Sequence, residues 1–267
     1  MGILLRAAAF LTRRQWTGWH DLTGKPQEIQ NHLLFDLIKR NRATRFGRDH
    51  HFEAIRSLSD YRAQVSVGDY ERLRPYIEHA QNGEAHALTA EPVLMFTMTS
   101  GSTGQPKLIP ITETTRRNHR LLTRLWYYRA LIDHPDLFSG KLLGVVSPVI
   151  EGRTAGGIPF GAASGLIYQS TPSWIQNAYA TPYEIAEVKD FEAKYYLIML
   201  LALQHDITCF GTPNPSTILK LVETVNRNKH EMIQDICDGT ITARCDLQPE
   251  MRAALAGRLR KNPARAR

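Results

Sequence analysis

Residues 97–112 read TMTSGSTGQPKLIPIT. Within residues 99–107, four hydroxyls (Thr99, Ser100, Ser102 and Thr103), two glycines (Gly101 and Gly104) and the cation of Lys107 stand together. A nucleoside triphosphate asks for such a set. Glycines let the backbone approach and turn so that its N–H groups face the phosphates. Hydroxyls add donors, and a lysine ammonium supplies a compact positive charge. The stretch is not a Walker A loop. Counted from Gly101, the residue before Lys107 is Pro106 rather than Gly, and the residue after it is Leu108 rather than Ser or Thr. A Walker loop also opens into a helix whose N-terminus receives the phosphate. Here Pro110 and the β-branched run around it predict a second strand. No GxGxxG pattern exists, so a Rossmann dinucleotide site has no support.

The elements that must hold this loop follow from patterning. Residues 93–98 and 108–112 are rich in strand formers, giving strand–loop–strand. A long helix is predicted over 113–132, with Leu121, Leu122, Leu125 and Tyr128 as its apolar stripe and arginines on its other faces. Upstream, 27–42 reads as an amphipathic helix, Gly47 as a break, Ser59 as the cap of a short helix, and "RPYIEHAQNGE" as another ending near Gly83. Downstream, 141–150 reads as a buried strand and the glycine-rich 151–165 as a loop. The stretch 183–204 contains a helix apolar nearly all round, and "ITCFG" reads as a strand. A helix through 236 follows, capped by Ser216 or Thr217. Alternating strands and helices make the class α/β.

Composition bounds the rest. The chain has 267 residues, 43% hydrophobic and 22% charged, the profile of an ordinary soluble globular protein. Three cysteines (Cys209, Cys237 and Cys245) without a CxxC pair predict reduced thiols and no zinc site. His50, His51, His119 and His205 have no spacing that makes a metal set or a triad. A formal charge of +7 raises the question of nucleic acid, but the basic residues concentrate only in 116–129 and at the C-terminus, with no nucleic-acid motif. A solvated helix face is the expectation for the first cluster. No apolar run reaches the roughly 18 residues of a membrane span, and the N-terminal "MGILLRAAAFLTRRQW" is interrupted by Arg6, unlike a signal peptide. Ile3, Ala7, Phe10 and Leu11 at helical spacing predict a packed terminal helix. A cytoplasmic protein, with no nucleic-acid or membrane partner, is expected. Met251, Leu255 and Leu259 form an apolar stripe that needs a partner, which predicts aggregation or dimerisation of the isolated chain. Asn262 and Pro263 then look like the start of a further helix.

The nine positions TSGSTGQPK, on a hairpin, resemble the phosphate-binding signature of the adenylate-forming superfamily. "FGRDHHFEAI" (46–55), "DYRAQVSVGDYERLRPYIEHAQNGE" (60–84), "KLIPIT" and "DFEAKYYLIMLLALQHDITCFGTPNPSTILKLVE" (190–223) resemble the auxin-responsive promoter family, the acyl acid-amido synthetases and their bacterial relatives. The resemblance implies an α/β fold of mixed sheets flanked by helices: 1–267 as an incomplete N-terminal adenylate-forming domain, 1–40 as a helical N-terminal segment, and a mobile C-terminal domain absent. Members are much longer, and their two later nucleotide motifs have no counterpart here, so a missing C-terminal half is expected.

The resemblance also implies a mechanism. ATP, with Mg²⁺ bridging its phosphates, activates a small carboxylic acid as an acyl-adenylate, and an amine, usually of an amino acid, takes the acyl group. Thr99, Ser100, Gly101, Ser102, Thr103 and Gly104 would bind the phosphates and Lys107 would add charge, directly or by fixing the hairpin. No protein ligand for the metal is visible. Arg120 or Arg124 would hold the acyl carboxylate, with Thr154, Gly156 and Gly157 nearby. "FGTPNPS" at 210–216 sits at a strand-to-helix junction, where α/β folds often place ligands, though a proline-rich turn at a helix start is the plainer reading. Two other readings stay open. One is a truncated, non-catalytic remnant that binds nucleotide or acyl compound. The other is an acyl-CoA ligase, against which "PYIEH" and "KLIPIT" speak.

Overall fold

The computed structural model describes residues 2–99, 106–212 and 214–267, with side chains from Phe10 onward. The chain divides into two compact units, 1–129 with 149–163, and 130–148 with 164–267.

The first unit begins with helices α1 (Gly2–Thr23) and α2 (Pro26–Asn41). Phe10 and Leu11 are 75% and 72% exposed, so this part of α1 does not pack as its spacing predicts; Trp16, one turn on, meets Tyr128 with ring centroids 6.0 Å apart. Gly47 is no break. It lies buried inside α3 (Arg45–Asp49), where a Cβ would stand 2.1 Å from the Asn41 carbonyl oxygen. Glycine is there because two turns of backbone come together. Helix α4 (Leu58–Gln64) is capped by Ser57 rather than Ser59: the Ser57 hydroxyl accepts from the Asp60 N–H while the Asp60 carboxylate accepts from the Ser57 N–H, a capping box. Asp69 caps α5 (Tyr70–Gln81) by accepting from the Glu71 N–H.

Strands β1 (Met95–Thr99) and β2 (Lys107–Ile111) pair antiparallel, from Met95 opposite Ile111 to Thr99 opposite Lys107. Met95, Phe96 and Thr97 are all buried, as expected of a strand covered on both faces. Phe96 is fully buried against Ile77 and Ala80 of α5 and against Ala87, which fixes α5 on the hairpin. Helix α6 (Glu113–Asp133) follows at once. Of its expected stripe only Leu125 is buried; Leu121 and Leu122 are 37% and 52% exposed.

Past β3 (Lys141–Gly144), the glycine-rich 151–165 holds more order than a loop: β4 (Gly152–Arg153), β5 (Pro159–Gly161) and the start of α7 (Ala163–Ser170). Strands this short leave no periodicity to read. The sheet order is β2-β1-β5-β4, with β1 and β5 parallel and β4 and β5 antiparallel.

The second unit pairs β3 in parallel with β6 (Ile207–Gly211). The strand expected to reach residue 150 ends at Gly144, where the Tyr179 ring lies so close that a Cβ would sit 2.9 Å from it. After α8 (Ser173–Gln176) comes α9 (Phe191–Ala202), capped by Asp190. Tyr196, Leu197, Leu200 and Leu201 are all at most 4% exposed, so this helix is apolar all round because it is the centre of a core. The next helix is two, α10 (Ser216–Arg227) and α11 (Lys229–Asp238), separated where the Asn228 amide donates back to the Thr224 carbonyl. Its start is held by Asn214, whose side chain accepts from the Ser216 N–H, and not by Ser216 or Thr217.

The C-terminal stripe also departs from expectation. Leu255 of α12 (Pro249–Ala256) is 1% exposed and Leu259 is 8%, both in the core around α9, with Met251 packed against it. The stripe has its partner within the same unit. Asn262 opens a turn and not a helix: its side chain accepts from the Arg265 N–H, and Arg265 donates to the carbonyls of Leu203 and His205 and pairs with Asp206.

Candidate functional site

Of the residues singled out for phosphate binding, Ser100, Gly101, Ser102, Thr103 and Gly104 lie outside the described residues. Thr99 and Lys107 are described, and they face each other as the last pair of the β1–β2 hairpin. The second strand read from Pro110 is therefore observed: the stretch is followed by β2 and not by a helix.

Lys107 does not hang free. Its Nζ lies 5.5 Å from the centroid of the Tyr70 ring, cation–π distance. The guanidinium of Arg74 lies 5.2 Å from the same ring. Arg74 is held in turn by Glu71 through two parallel bonds of 2.6 and 2.8 Å, a fork-to-carboxylate pair. That pair, with Lys107 adding a smaller attraction, keeps the Glu71 carboxyl below its ordinary value. The Tyr70 hydroxyl meets both backbone groups of Leu108, donating to its carbonyl at 3.3 Å and accepting from its N–H at 3.0 Å. The first turn of α5 thus grips the first two residues of β2. Sequence reasoning missed Tyr70, Glu71 and Arg74 because they precede the loop by some 30 residues, and only the packing of α5 on Phe96 brings them to it.

The other end of β2 is also anchored. Thr112 accepts from the Thr115 N–H at 3.3 Å, the local pattern of a helix start. Glu91 accepts from the Thr114 N–H at 2.9 Å and from the Thr114 hydroxyl. Those bonds, hydroxyl first and backbone second, hold the Glu91 carboxyl below its ordinary range, and negative charge at a helix N-terminus suits the dipole.

The residues expected around an acyl group lie in the same unit. Arg120 is exposed and pairs with Glu113 at 2.9 Å, a carboxylate it shares with Arg116. Arg124 is exposed and donates to the Gln15 side chain at 3.2 Å. Thr154, Gly156 and Gly157 make the turn between β4 and β5. The Thr154 N–H donates to the Ile158 carbonyl and its hydroxyl accepts from the Ile158 N–H. Gly157 has φ +79°, where glycine is favoured. Gly156 donates to the Gln81 carbonyl at the end of α5, and a Cβ on it would lie 2.5 Å from the Gly83 nitrogen. Both glycines thus have an architectural reason. "FGTPNPS", in the second unit, runs from the last two residues of β6 to the first of α10; apart from Pro213, which is outside the described residues, Thr212 and Ser216 both bond to Asn214. Among the described residues no group of three or more His, Cys, Asp and Glu side chains could hold a metal ion.

A family model described as the GH3 family N-terminal domain matches residues 17–267. The chain belongs to the GH3 family. Among curated GH3 relatives, the indole-3-acetic acid-amido synthetase GH3.2 of Arabidopsis thaliana is 27% identical over 233 residues, covering 84% of this chain and 42% of that protein. GH3.8, an indole-3-acetic acid-amido synthetase of Oryza sativa subsp. indica, is 26% identical over 256 residues, covering 92% and 42%. The chain therefore spans well under half the length of these relatives. Among solved structures, the GH3.15 acyl acid amido synthetase superposes with a TM-score of 0.80 at 23% identity, over 94% of this chain and 45% of that one. A GH3.15 structure in complex with 2,4-DB gives 0.74 at 23% identity. The likeness fixes the fold: a mixed α/β arrangement shared with part of an acyl acid amido synthetase. Among the described residues no helix is long and apolar enough to cross a membrane.

Proposed function

We propose that this chain supplies the phosphate-binding part of an ATP-dependent acyl acid-amido synthetase, which activates a small carboxylic acid as its acyl-adenylate and passes the acyl group to an amine such as that of an amino acid. The observation that carries the reading is the register of the hairpin. Thr99 and Lys107 close a strand pair around the hydroxyl- and glycine-rich stretch, in a chain that belongs to the GH3 family. A carboxylate attacking the α-phosphorus of ATP brings two anions together, so the site must neutralise phosphate charge and hold the reactants in line. Lys107 contributes that charge, with Thr99 and the residues 100–104 as donors around the β- and γ-phosphates. Mg²⁺ belongs to this chemistry as the companion of the triphosphate. Arg120 and Arg124 are proposed to face the acyl carboxylate once freed from Glu113 and Gln15, and Thr154, Gly156 and Gly157 to form the turn beside it. A cytoplasmic setting, where ATP is plentiful, suits this use.

Carboxylate-dependent exchange of labelled pyrophosphate into ATP tests the reading in the protein that carries this chain together with whatever completes it. Lys107→Ala should lower exchange by about tenfold or more, the equivalent of one charge-assisted contact. Undiminished exchange would remove Lys107 and its loop from the mechanism.

A further inference from the structure

The structure points to Tyr70 as a positioning residue for the phosphate-binding hairpin, and we propose that its ring and its hydroxyl together set where the Lys107 ammonium stands. The inference rests on the phosphate-binding reading above. A lysine on a four-carbon stem has many rotamers, and fixing one takes a surface to lie against. Tyr70 provides that surface, with the Lys107 Nζ 5.5 Å from its ring centroid. The ring cannot swing away, because its hydroxyl is engaged twice by Leu108. It stands on the first residue of α5, behind the Asp69 cap and packed with Leu73 against the cluster of Ile77 and Phe96. Hydroxyl and ring act on adjacent residues: one pins the backbone of Leu108, the other holds the side chain of Lys107. Arg74 stands over the same ring and is tied to Glu71, so the electron-rich ring and the Glu71 carboxylate between them accommodate two cations. The arrangement keeps positive charge at the return end of the hairpin before any anion arrives, which is what preorganisation requires.

The test uses the 267-residue chain with its lysines reductively ¹³C-methylated, inorganic tripolyphosphate as the probe, and Lys107→Arg to assign the Lys107 resonance. In the wild type, the Lys107 methyl signal should be shifted by the Tyr70 ring current and should move again on titration. Tyr70→Phe should keep the ring shift and weaken tripolyphosphate by about threefold, the size of a single net hydrogen bond. Tyr70→Leu should abolish the ring shift and weaken binding by about tenfold, through loss of both contacts. Wild-type binding that Tyr70→Leu leaves within about twofold, or a wild-type Lys107 signal without a ring shift, overturns the proposal and leaves the phosphate-binding reading standing. Absence of tripolyphosphate binding by the wild type overturns both. Should Tyr70→Leu not fold, Tyr70→Phe decides: affinity equal to wild type removes the hydroxyl from the arrangement and the proposal with it.

Discussion

At the scale of single residues, the two glycines of the β4–β5 turn show how a functional and an architectural reading can be separated. Gly156→Ala would push a methyl group to within 2.5 Å of the Gly83 nitrogen, and backbone cannot yield as a side-chain tip can. We expect it to destabilise the chain by roughly 2 kcal/mol, in the range of overpacking. Gly157→Ala would place an L-residue at φ +79°, with nothing within 4 Å of its Cβ, at about 1 kcal/mol. Urea unfolding of the two variants checks both numbers; equal and negligible losses would mean the turn is not built as described. Gly156 was singled out in the sequence by likeness to a substrate-facing turn. Its contact with the end of α5 was illegible there, since nothing in "TAGG" says which backbone comes near. Lys107 is the opposite case: residue type and spacing marked it, and the hairpin puts it at the last strand pair.

At the scale of elements, Glu91 joins the segment before β1 to the N-terminus of α6. Its carboxyl is held below the ordinary glutamate value of 4.5 by Thr114, hydroxyl first and N–H second. A carboxylate with a lowered folded-state value gives its full stabilisation above the unfolded-state value and loses it as the pH falls through the folded-state one. Glu91→Gln should therefore cost about 1 kcal/mol near neutral pH, one net charge-assisted bond discounted for exposure. The gap from wild type should narrow on acidification below about pH 4. Unfolding curves at neutral and acid pH measure this, and a gap independent of pH would assign Glu91 no charged role. Elements with consistent patterns were legible: β1, β2 and α6 lie within a residue or two of where patterning puts them, and the largely apolar α9 falls inside the stretch 183–204 that predicts it. Those set by one side-chain bond were not. Ser57 and Ser59 are both good caps by type, and the choice falls on Ser57 because only it has Asp60 three residues on. The division of α10 from α11 likewise turns on Asn228, whose amide finds the Thr224 carbonyl, a bond no periodicity reports.

At the scale of the whole molecule, several charged side chains stand in local pairs: Glu113 serves Arg116 and Arg120, Glu192 serves Lys220 and Arg227, and Glu71 serves Arg74. Each exposed pair adds little stability. The second unit instead depends on apolar burial around α9, to which the C-terminal helix belongs. Leu255→Ala should cost roughly 3 kcal/mol, the range for a fully buried leucine, and lower the thermal midpoint measurably. A change below about 0.5 kcal/mol would show that α12 is dispensable to that core. The stripe of Met251, Leu255 and Leu259 looked partnerless in sequence because its partners, on α9 and α11, are elements whose faces a linear reading cannot match.

β2 is the rim of its sheet, and a bare rim invites strands from other molecules. Leu108 turns its backbone groups outward, and Tyr70 occupies both. By the alternation of the strand, Pro110 turns the same way, and proline has no N–H to offer. The outer border of the β1–β2 hairpin is thereby poorly suited to templated growth: a foreign strand finds both docking points taken at Leu108 and the donor missing at Pro110.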